Sequence, residues 1–244
     1  MAIKKILTTK EGKQFYLRDI SKDFHCQFGL VKAKDLKKKD GSAVKTNTKK
    51  ELIIFTPSFI DSYKRIKRAP QIITRKDAAI IIAETGINKN SKVVDAGAGS
   101  GALACFLANI CKEVTTYEIR KDFIKIVKRN KESLNLKNLK IKNKDIYKGI
   151  DERDIDLITL DLPEPWKAIA PSKKALKVGG FIVNYSPTIP QVMDFVNAVN
   201  KEKGLMHIKT IELIQREWEI EDRKVRPKTT QTVHTGFLTF VRKL

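Results

Sequence analysis

The chain has 244 residues, and its 49 Lys+Arg against 28 Asp+Glu leave a formal net charge of +21. With 41% hydrophobic and 32% charged residues it is too apolar for a disordered chain and lacks collagen-like, coiled-coil or low-complexity character, so one large domain or a large-plus-small pair is expected. An excess of this size attracts polyanions, which makes nucleic acid the first partner to consider beside a merely lysine-rich surface.

No window approaches the roughly 20 apolar residues of a membrane span. The apolar stretch within residues 1–7 is too short for a secretory signal, so a cytoplasmic protein without membrane contact is expected. Cys26, Cys105 and Cys111 form no C-x-x-C pair. Buried thiols are the expectation for them, and no metal-ligating pattern is present.

In chain order, residues 1–66 read as a small, basic β domain. Short β-type runs at 14–17 and 52–55 are separated by a basic linker at 32–40 that carries five lysines. From about residue 67 to 244 the pattern becomes strand then helix, repeatedly. Helices are expected at 76–84, 101–110, 121–134, 168–176 and 191–199, and strands at 92–95, 114–118, 139–142, 155–161 and 181–185. That alternation is the signature of an α/β, Rossmann-like doubly wound parallel sheet. Two strand-like runs at 208–214 and 236–241, with no good helix between them, suggest an antiparallel C-terminal edge.

The first parallel strand ends in Asp95-Ala96-Gly97-Ala98-Gly99-Ser100-Gly101-Ala102. Glycines at alternate positions let the backbone approach a ligand, and the helix that follows presents free N–H groups. Seventeen residues after Gly101, Glu118 closes the next strand, where a carboxylate accepts both hydroxyls of a ribose. Asp145 and Asp161 end two further strands. Ligands in this architecture bind at the carboxyl ends of strands, so Asp95, Glu118, Asp145 and Asp161 should converge on one crevice. The G-x-G-x-G spacing after an acid resembles the S-adenosylmethionine turn of class I methyltransferases. The dinucleotide spacing is G-x-G-x-x-G, and an acid before the turn suits a cationic ligand better than a pyrophosphate.

At the end of the fourth parallel strand, Asp161-Leu162-Pro163-Glu164-Pro165-Trp166 resembles the D-x-P-x-P-W signature of the tRNA (adenine-N1)-methyltransferases, which modify adenine 58 of the T loop and, in the archaeal type, adenine 57 as well. The likeness continues in Arg68-Ala69-Pro70-Gln71-Ile72-Ile73, in Lys76-Asp77, and downstream in Glu212, Arg216, Trp218, Arg226-Pro227 and His234-Thr235-Gly236-Phe237-Leu238.

The resemblance implies a class I methyltransferase that uses S-adenosylmethionine, binds tRNA and assembles as a homotetramer. It implies cofactor contacts from Gln71, Asp95, Gly97, Gly99, Ser100, Gly101, Ala102, Glu118, Ile119, Asp145, Ile146 and Asp161, with Asp161 as the catalytic carboxylate. Pro163, Trp166, Tyr185 and His234 are expected on the substrate side. Trp166 is read equally well as a core residue, His234 as a wall or subunit contact, and Glu212 with Arg216 as an edge-strand ion pair. The chain departs from the family pattern at Thr74-Arg75, where a tyrosine and a proline are common. Two other readings stand beside this one: a small-molecule methyltransferase of the corrinoid-precursor kind, and a catalytically silent tRNA-binding subunit.

Overall fold

The computed structural model describes residues 2–69, 72–230 and 234–244. Contacts divide the chain into two units, one running up to Ile66 together with Arg129–Asn135, the other comprising Lys67–Lys128 and Leu136–Leu244.

The first unit is built from β1 (Lys5–Thr8), β2 (Gln14–Leu17), β3 (Phe24–Cys26), β4 (Gly29–Val31), β5 (Ala43–Lys45), β6 (Glu51–Phe55) and α1 (Phe59–Tyr63). Four strands form an antiparallel sheet in the order β2-β1-β6-β5, and β3 with β4 makes a separate hairpin. In β6 the alternation is plain: Leu52 and Ile54 are buried in a core with Leu7, Leu17, Val31, Leu36 and Val44. The expected strands at 14–17 and 52–55 are present. The remaining strands are three or four residues long and carry too little alternation to be read. The basic stretch at 32–40 proves to be more than a linker, because a single 3-10 turn, Asp35–Lys37, drives Leu36 fully into that core. Its lysines stay outside, Lys38 paired with Asp35 and Lys32 with Asp23.

The second unit contains α2 (Arg75–Thr85), β7 (Lys92–Ala96), α3 (Ala102–Ala108), β8 (Glu113–Tyr117), α4 (Lys121–Ser133, shared with the first unit from Arg129), β9 (Leu139–Lys142), β10 (Ile155–Leu160), α5 (Ile169–Ala175), β11 (Leu176–Ser186), α6 (Ile189–Lys201), β12 (Leu205–Glu212), β13 (Trp218–Glu221), β14 (Lys224–Pro227) and β15 (Phe237–Lys243). Seven strands form one sheet in the order β12-β15-β11-β10-β7-β8-β9. From β9 to β11 all pairings are parallel, and β15 runs antiparallel to both β11 and β12. The expected doubly wound sheet with an antiparallel edge is therefore the architecture found.

The inner strands read as apolar runs because helices cover both faces: Val93, Val94, Leu157, Ile158, Ile182 and Val183 are all buried. Helix α3 is made of small and aliphatic residues, ALACFLA, and all but Phe106 are buried. Such a helix packs close to the sheet. It is shorter than expected because Asn109 and Ile110 close it with tight turns back to Cys105, Phe106 and Leu107. Strand β11 begins earlier than expected, at Leu176, and slips register against β10 around Gly179-Gly180. The hairpin of β13 and β14 has no counterpart in the sequence reading. Cys105 and Cys111 are buried thiols, their pKa values pushed by burial up to about 12 and about 11, while Cys26 is half-buried.

Candidate active site

Successive strands run from β7 outward through β8 to β9 and, on the other side, through β10 to β11, so the chain leaves β7 in both directions. The crevice at the carboxyl ends of β7 and β10 is the topological switch point, where this architecture binds ligands.

The turn after β7 is held open by backbone crowding. Gly97, Gly99 and Gly101 all have positive φ, at +84°, +52° and +74°. At Gly97 a Cβ would run into the carbonyl oxygen of Asp161, and at Gly101 it would stand 2.7 Å from Val127 Cγ1. Only glycine meets both demands, a left-handed backbone and no side chain. Gly101 then hands the chain directly to α3, whose first residue is Ala102.

Two clefts meet at Gly97. One, of about 20 Å³, is lined by Ile72, Ile73, Asp95, the 97–100 turn, Ala102, Leu103 and Asp161. The other, of about 100 Å³, is lined by Gly97, Tyr117, Glu118, Ile119, Lys144, Asp145, Ile146, Tyr147, Leu162 and Pro163. The four strand-end acids are thus brought together, Asp95 and Asp161 in the first cleft and Glu118 and Asp145 in the second.

Each acid is set differently. The Asp95 carboxylate is clamped between the Thr116 hydroxyl at 2.6 Å and the Thr159 hydroxyl at 2.8 Å, and its burial raises its pKa. Glu118 accepts from the backbone N–H of Gly99 at 3.0 Å with one oxygen and from that of Arg120 at 2.9 Å with the other. Each oxygen keeps a lone pair for a ligand hydroxyl. Asn143 fixes the same corner by donating to the carbonyls of Glu118 and Ile119. Asp145 caps the turn Ile146–Lys148 by accepting from the Tyr147 N–H at 2.9 Å. Asp161 is anchored by its own N–H on the Ala96 carbonyl at 2.9 Å, but no described residue hydrogen-bonds its carboxylate. Burial, with the nearby Asp95 charge, pushes its pKa up to about 7.

The second cleft combines acidic and apolar lining. The carboxylates of Glu118 and Asp145 line it, and Ile119, Ile146, Leu162 and Pro163 give it apolar walls. Ile119 is 66% exposed, an apolar side chain left bare at the mouth. Ser100 is buried in the glycine turn. Gln71 lies outside the described residues.

The substrate-side expectations divide. Pro163 lines the second cleft, and its carbonyl accepts from Gln191 at 3.4 Å. Trp166 packs against the main core of the sheet, which is the core role rather than an open one. Tyr185 donates its hydroxyl to the Thr235 carbonyl, and its ring fills the space where a Cβ on Gly236 would stand. Its pKa is pushed up to about 12 by burial and the charges of Asp77 and Asp161. His234 is exposed, with Nδ1 2.6 Å from Glu212 and Nε2 3.1 Å from the Pro187 carbonyl. Both neighbours are acceptors, so the imidazolium form is favoured and its pKa is raised, chiefly by Glu212. Glu212 therefore pairs with His234 and not with Arg216.

Sequence reasoning picked out Lys76-Asp77 and His234-Thr235-Gly236 as motifs but missed that they form one cluster. Lys76 Nζ donates to Asp77 at 2.8 Å, to the Leu213 carbonyl at 2.8 Å and to Thr235 Oγ1 at 2.6 Å. The Thr74 and Thr235 hydroxyls both donate to the other Asp77 oxygen. Asp77 is fully buried, and this cluster ties the start of α2 to the approach to β15.

The sequence model of the GCD14 family, described as "tRNA methyltransferase complex GCD14 subunit", matches residues 53–229. The chain belongs to this family. A relative with that activity in its name, the tRNA (adenine(57)-N(1)/adenine(58)-N(1))-methyltransferase TrmI of Methanocaldococcus jannaschii, is 35% identical over 98% of this chain and 94% of its own length. Among solved structures, a SAM-dependent O-methyltransferase from Thermotoga maritima matches with a TM-score of 0.86 at 28% identity, covering all of this chain and 93% of the other. The tRNA (m1A58) methyltransferase TrmI of Aquifex aeolicus matches with a TM-score of 0.79 at 26% identity, covering 99% and 96%. The GCD14 match spans the glycine turn, the four acids and the D-x-P-x-P-W loop, the parts that form the crevice.

Proposed function

We propose that this GCD14-family chain transfers the methyl group of S-adenosylmethionine to N1 of adenine 58 in the T loop of tRNA, with adenine 57 as a second target. The observation that carries the reading is the Asp161 carboxylate, pushed by desolvation up to about 7 and given no hydrogen bond by any described residue, at the switch point of a chain related along nearly its whole length to an enzyme named for that reaction.

The cofactor, when bound, supplies an electrophilic methyl on a sulfonium. The residues present fit it. The bare turn of Gly97, Gly99, Ser100, Gly101 and Ala102, with Asp95 behind it, suits the charged methionine end. Glu118 has lone pairs for the ribose hydroxyls, and Ile119, Asp145 and Ile146 suit the adenine.

Adenine N1 is already a nucleophile at neutral pH, so the protein's task is positioning, with no strong base required. Methylation makes the ring cationic. A carboxylate of Asp161 accepting from the exocyclic amine is worth more as that charge grows, which is the condition for lowering the barrier. Its pKa of about 7 means that burial works against the ionised form, so a cation placed beside it is favoured over bulk water. Pro163 and Pro165 stiffen the loop that carries it, and Trp166 holds that loop to the core. Tyr185 and His234 are read as substrate-side residues, the tyrosine hydroxyl already committed to the Thr235 carbonyl and the histidine pKa raised by Glu212.

A T-loop adenine is inaccessible in folded tRNA and must be extruded while cations hold the backbone. The small domain of residues 1–66 and the lysines of α4 supply such cations. A homotetramer in the cytoplasm completes the reading. It is supported by the hairpin of β13 and β14: Trp218, Ile220, Val225 and Pro227 share one face, the three larger apolar side chains more than half exposed, while Glu219 pairs with Lys224 and Arg226 on the other. A bare apolar ribbon of this kind is what a protein–protein interface offers before assembly, and it supports the oligomeric reading. No helix of the described residues is long and apolar enough to cross a membrane.

The test is transfer of labelled methyl from S-adenosylmethionine to unmodified tRNA transcript, followed by digestion to nucleosides. Label in 1-methyladenosine, lost in Asp161→Ala, is the expected result; cofactor binding without transfer to any tRNA would overturn the reading.

A further inference from the structure

Next to the glycine-turn cleft lies a larger cavity of about 280 Å³. Ile72 and Ile73 line the cleft that contains Asp161, whereas Thr74 and Lys76 line the larger cavity, so the two flank one stretch of backbone. The volume is close to the lower end of small-molecule sites, near ~300 Å³, and suits a nucleoside better than a longer ligand.

The floor of this cavity is chemically saturated. Lys76 has placed its three protons on Asp77, Thr235 and the Leu213 carbonyl, and the hydroxyls of Thr74 and Thr235 are both given to Asp77. A ligand therefore meets a neutral floor that neither protonates nor repels it. The rim is different. Lys228 and Glu217 pair across it at 2.6 Å, and Gln215 and Thr230 present an exposed amide and hydroxyl that make no hydrogen bond with any described residue. An amide and a hydroxyl with unspent donors and acceptors match the mixed edge of a neutral nucleobase. Arg75, exposed at the start of α2 and close enough to act on Glu217, sets a cation beside that ion pair.

We propose that this cavity is a subsite for an unstacked nucleotide of the RNA flanking the methylated adenine, its base bonded by Gln215 and Thr230 and its phosphate met by Arg75. The inference rests on the RNA-methylating reading above. Enzymes that extrude a base also read the nucleotides on either side of it, and a neighbour held in its own pocket keeps the loop from closing again. Because one short stretch lines both cavities, Ile72 and Ile73 the first and Thr74 and Lys76 the second, a flanking nucleotide rather than a distant one is the natural occupant.

Steady-state kinetics on tRNA transcript with the Gln215→Ala/Thr230→Ala variant tests this, with wild type assayed in parallel. Loss of two neutral hydrogen bonds is expected to raise KM for tRNA by roughly tenfold or more, with kcat at saturating tRNA within about twofold and S-adenosylmethionine affinity by calorimetry unchanged. A second arm uses a T-arm hairpin with a photoreactive base beside the target adenine, and expects crosslinks to map to 215 or 230. An unchanged KM, or crosslinks mapping elsewhere, overturns the subsite. So does a cavity that takes free AMP, seen as protection of Thr230→Cys from alkylation, while the KM for tRNA stays the same. If wild type itself forms no 1-methyladenosine, it is the enzymatic reading that fails, and the crosslinking arm still reports on the cavity.

Discussion

Replacing Asp161 with asparagine should abolish methyl transfer and yet stabilise the fold, with a pH dependence that identifies the cause. The Asp161 carboxyl lies at about 7 in the folded chain against an ordinary 3.8. That gap spans about 3 pH units, and at ~1.36 kcal/mol per unit it is worth about 4 kcal/mol. The sign follows from proton counting. Between pH 4 and 7 the folded chain holds a proton that the unfolded chain has released, so stability falls as pH rises through that window and the penalty is complete above 7. Asparagine has no such penalty, and Asp95 is present in both proteins and largely cancels. Thermal unfolding of cofactor-free protein at pH 4 and pH 8 is the assay. The two proteins should unfold together near pH 4, and the variant should melt higher at pH 8 by about 10 °C, taking ~2–4 °C per kcal/mol for a unit of this size. A variant no more stable at pH 8 than at pH 4, relative to wild type, would falsify the claim that burial beside Asp95 holds the Asp161 proton. In wild type, kcat/KM should rise with pH and level off above about 7, since the ionised carboxylate is the useful form.

Lys76→Met leaves the fully buried Asp77 with two hydroxyls and no cation, and should cost about 3–5 kcal/mol in denaturant unfolding; a cost under about 1 kcal/mol would show that the cluster is not holding α2 to the C-terminal strands. Gly97→Ala forces a Cβ into the Asp161 carbonyl at a left-handed position, so calorimetry should find S-adenosylmethionine binding weakened at least about tenfold. Trp218→Glu with Ile220→Glu should shift sedimentation from a tetramer to a smaller species, and an unaltered profile would remove the hairpin from the interface. Binding of tRNA should fall steeply with salt, by about 0.9 in log–log slope for each phosphate contacted, whereas a flat response would contradict a cationic grip.

The parallel half of the sheet was legible because short strand-like runs, apolar at Val93-Val94 and Phe181-Ile182-Val183, alternate with helix-like segments along the chain. The glycine turn and the four acids were legible for a related reason. Each sits at a strand end, and strand ends in a parallel sheet gather on one edge whatever the loops do. Asp161 stood out because it opens the Asp161–Trp166 stretch that resembles the D-x-P-x-P-W signature. By contrast, Leu36 was hidden inside a lysine run, and the hairpin of β13 and β14 inside a stretch of charges, since three or four residues carry too weak a pattern to outweigh their surroundings.

What the order of residues determined was the layering, the direction of the strands and the chemistry available at their ends. What only tertiary structure decided was which of those groups are spent and which remain free. Lys76 and Thr235 are 159 residues apart, and no local pattern announces that they share a hydrogen bond. The same holds for Glu212, which turns to His234 although Arg216 is closer in sequence. Asp95 and Asp161 are both strand-end aspartates, yet two threonine hydroxyls from neighbouring strands clamp the first, while no described residue bonds the second. The difference arises because the environment of a carboxylate is made by side chains from other strands, and these meet only once the sheet has formed.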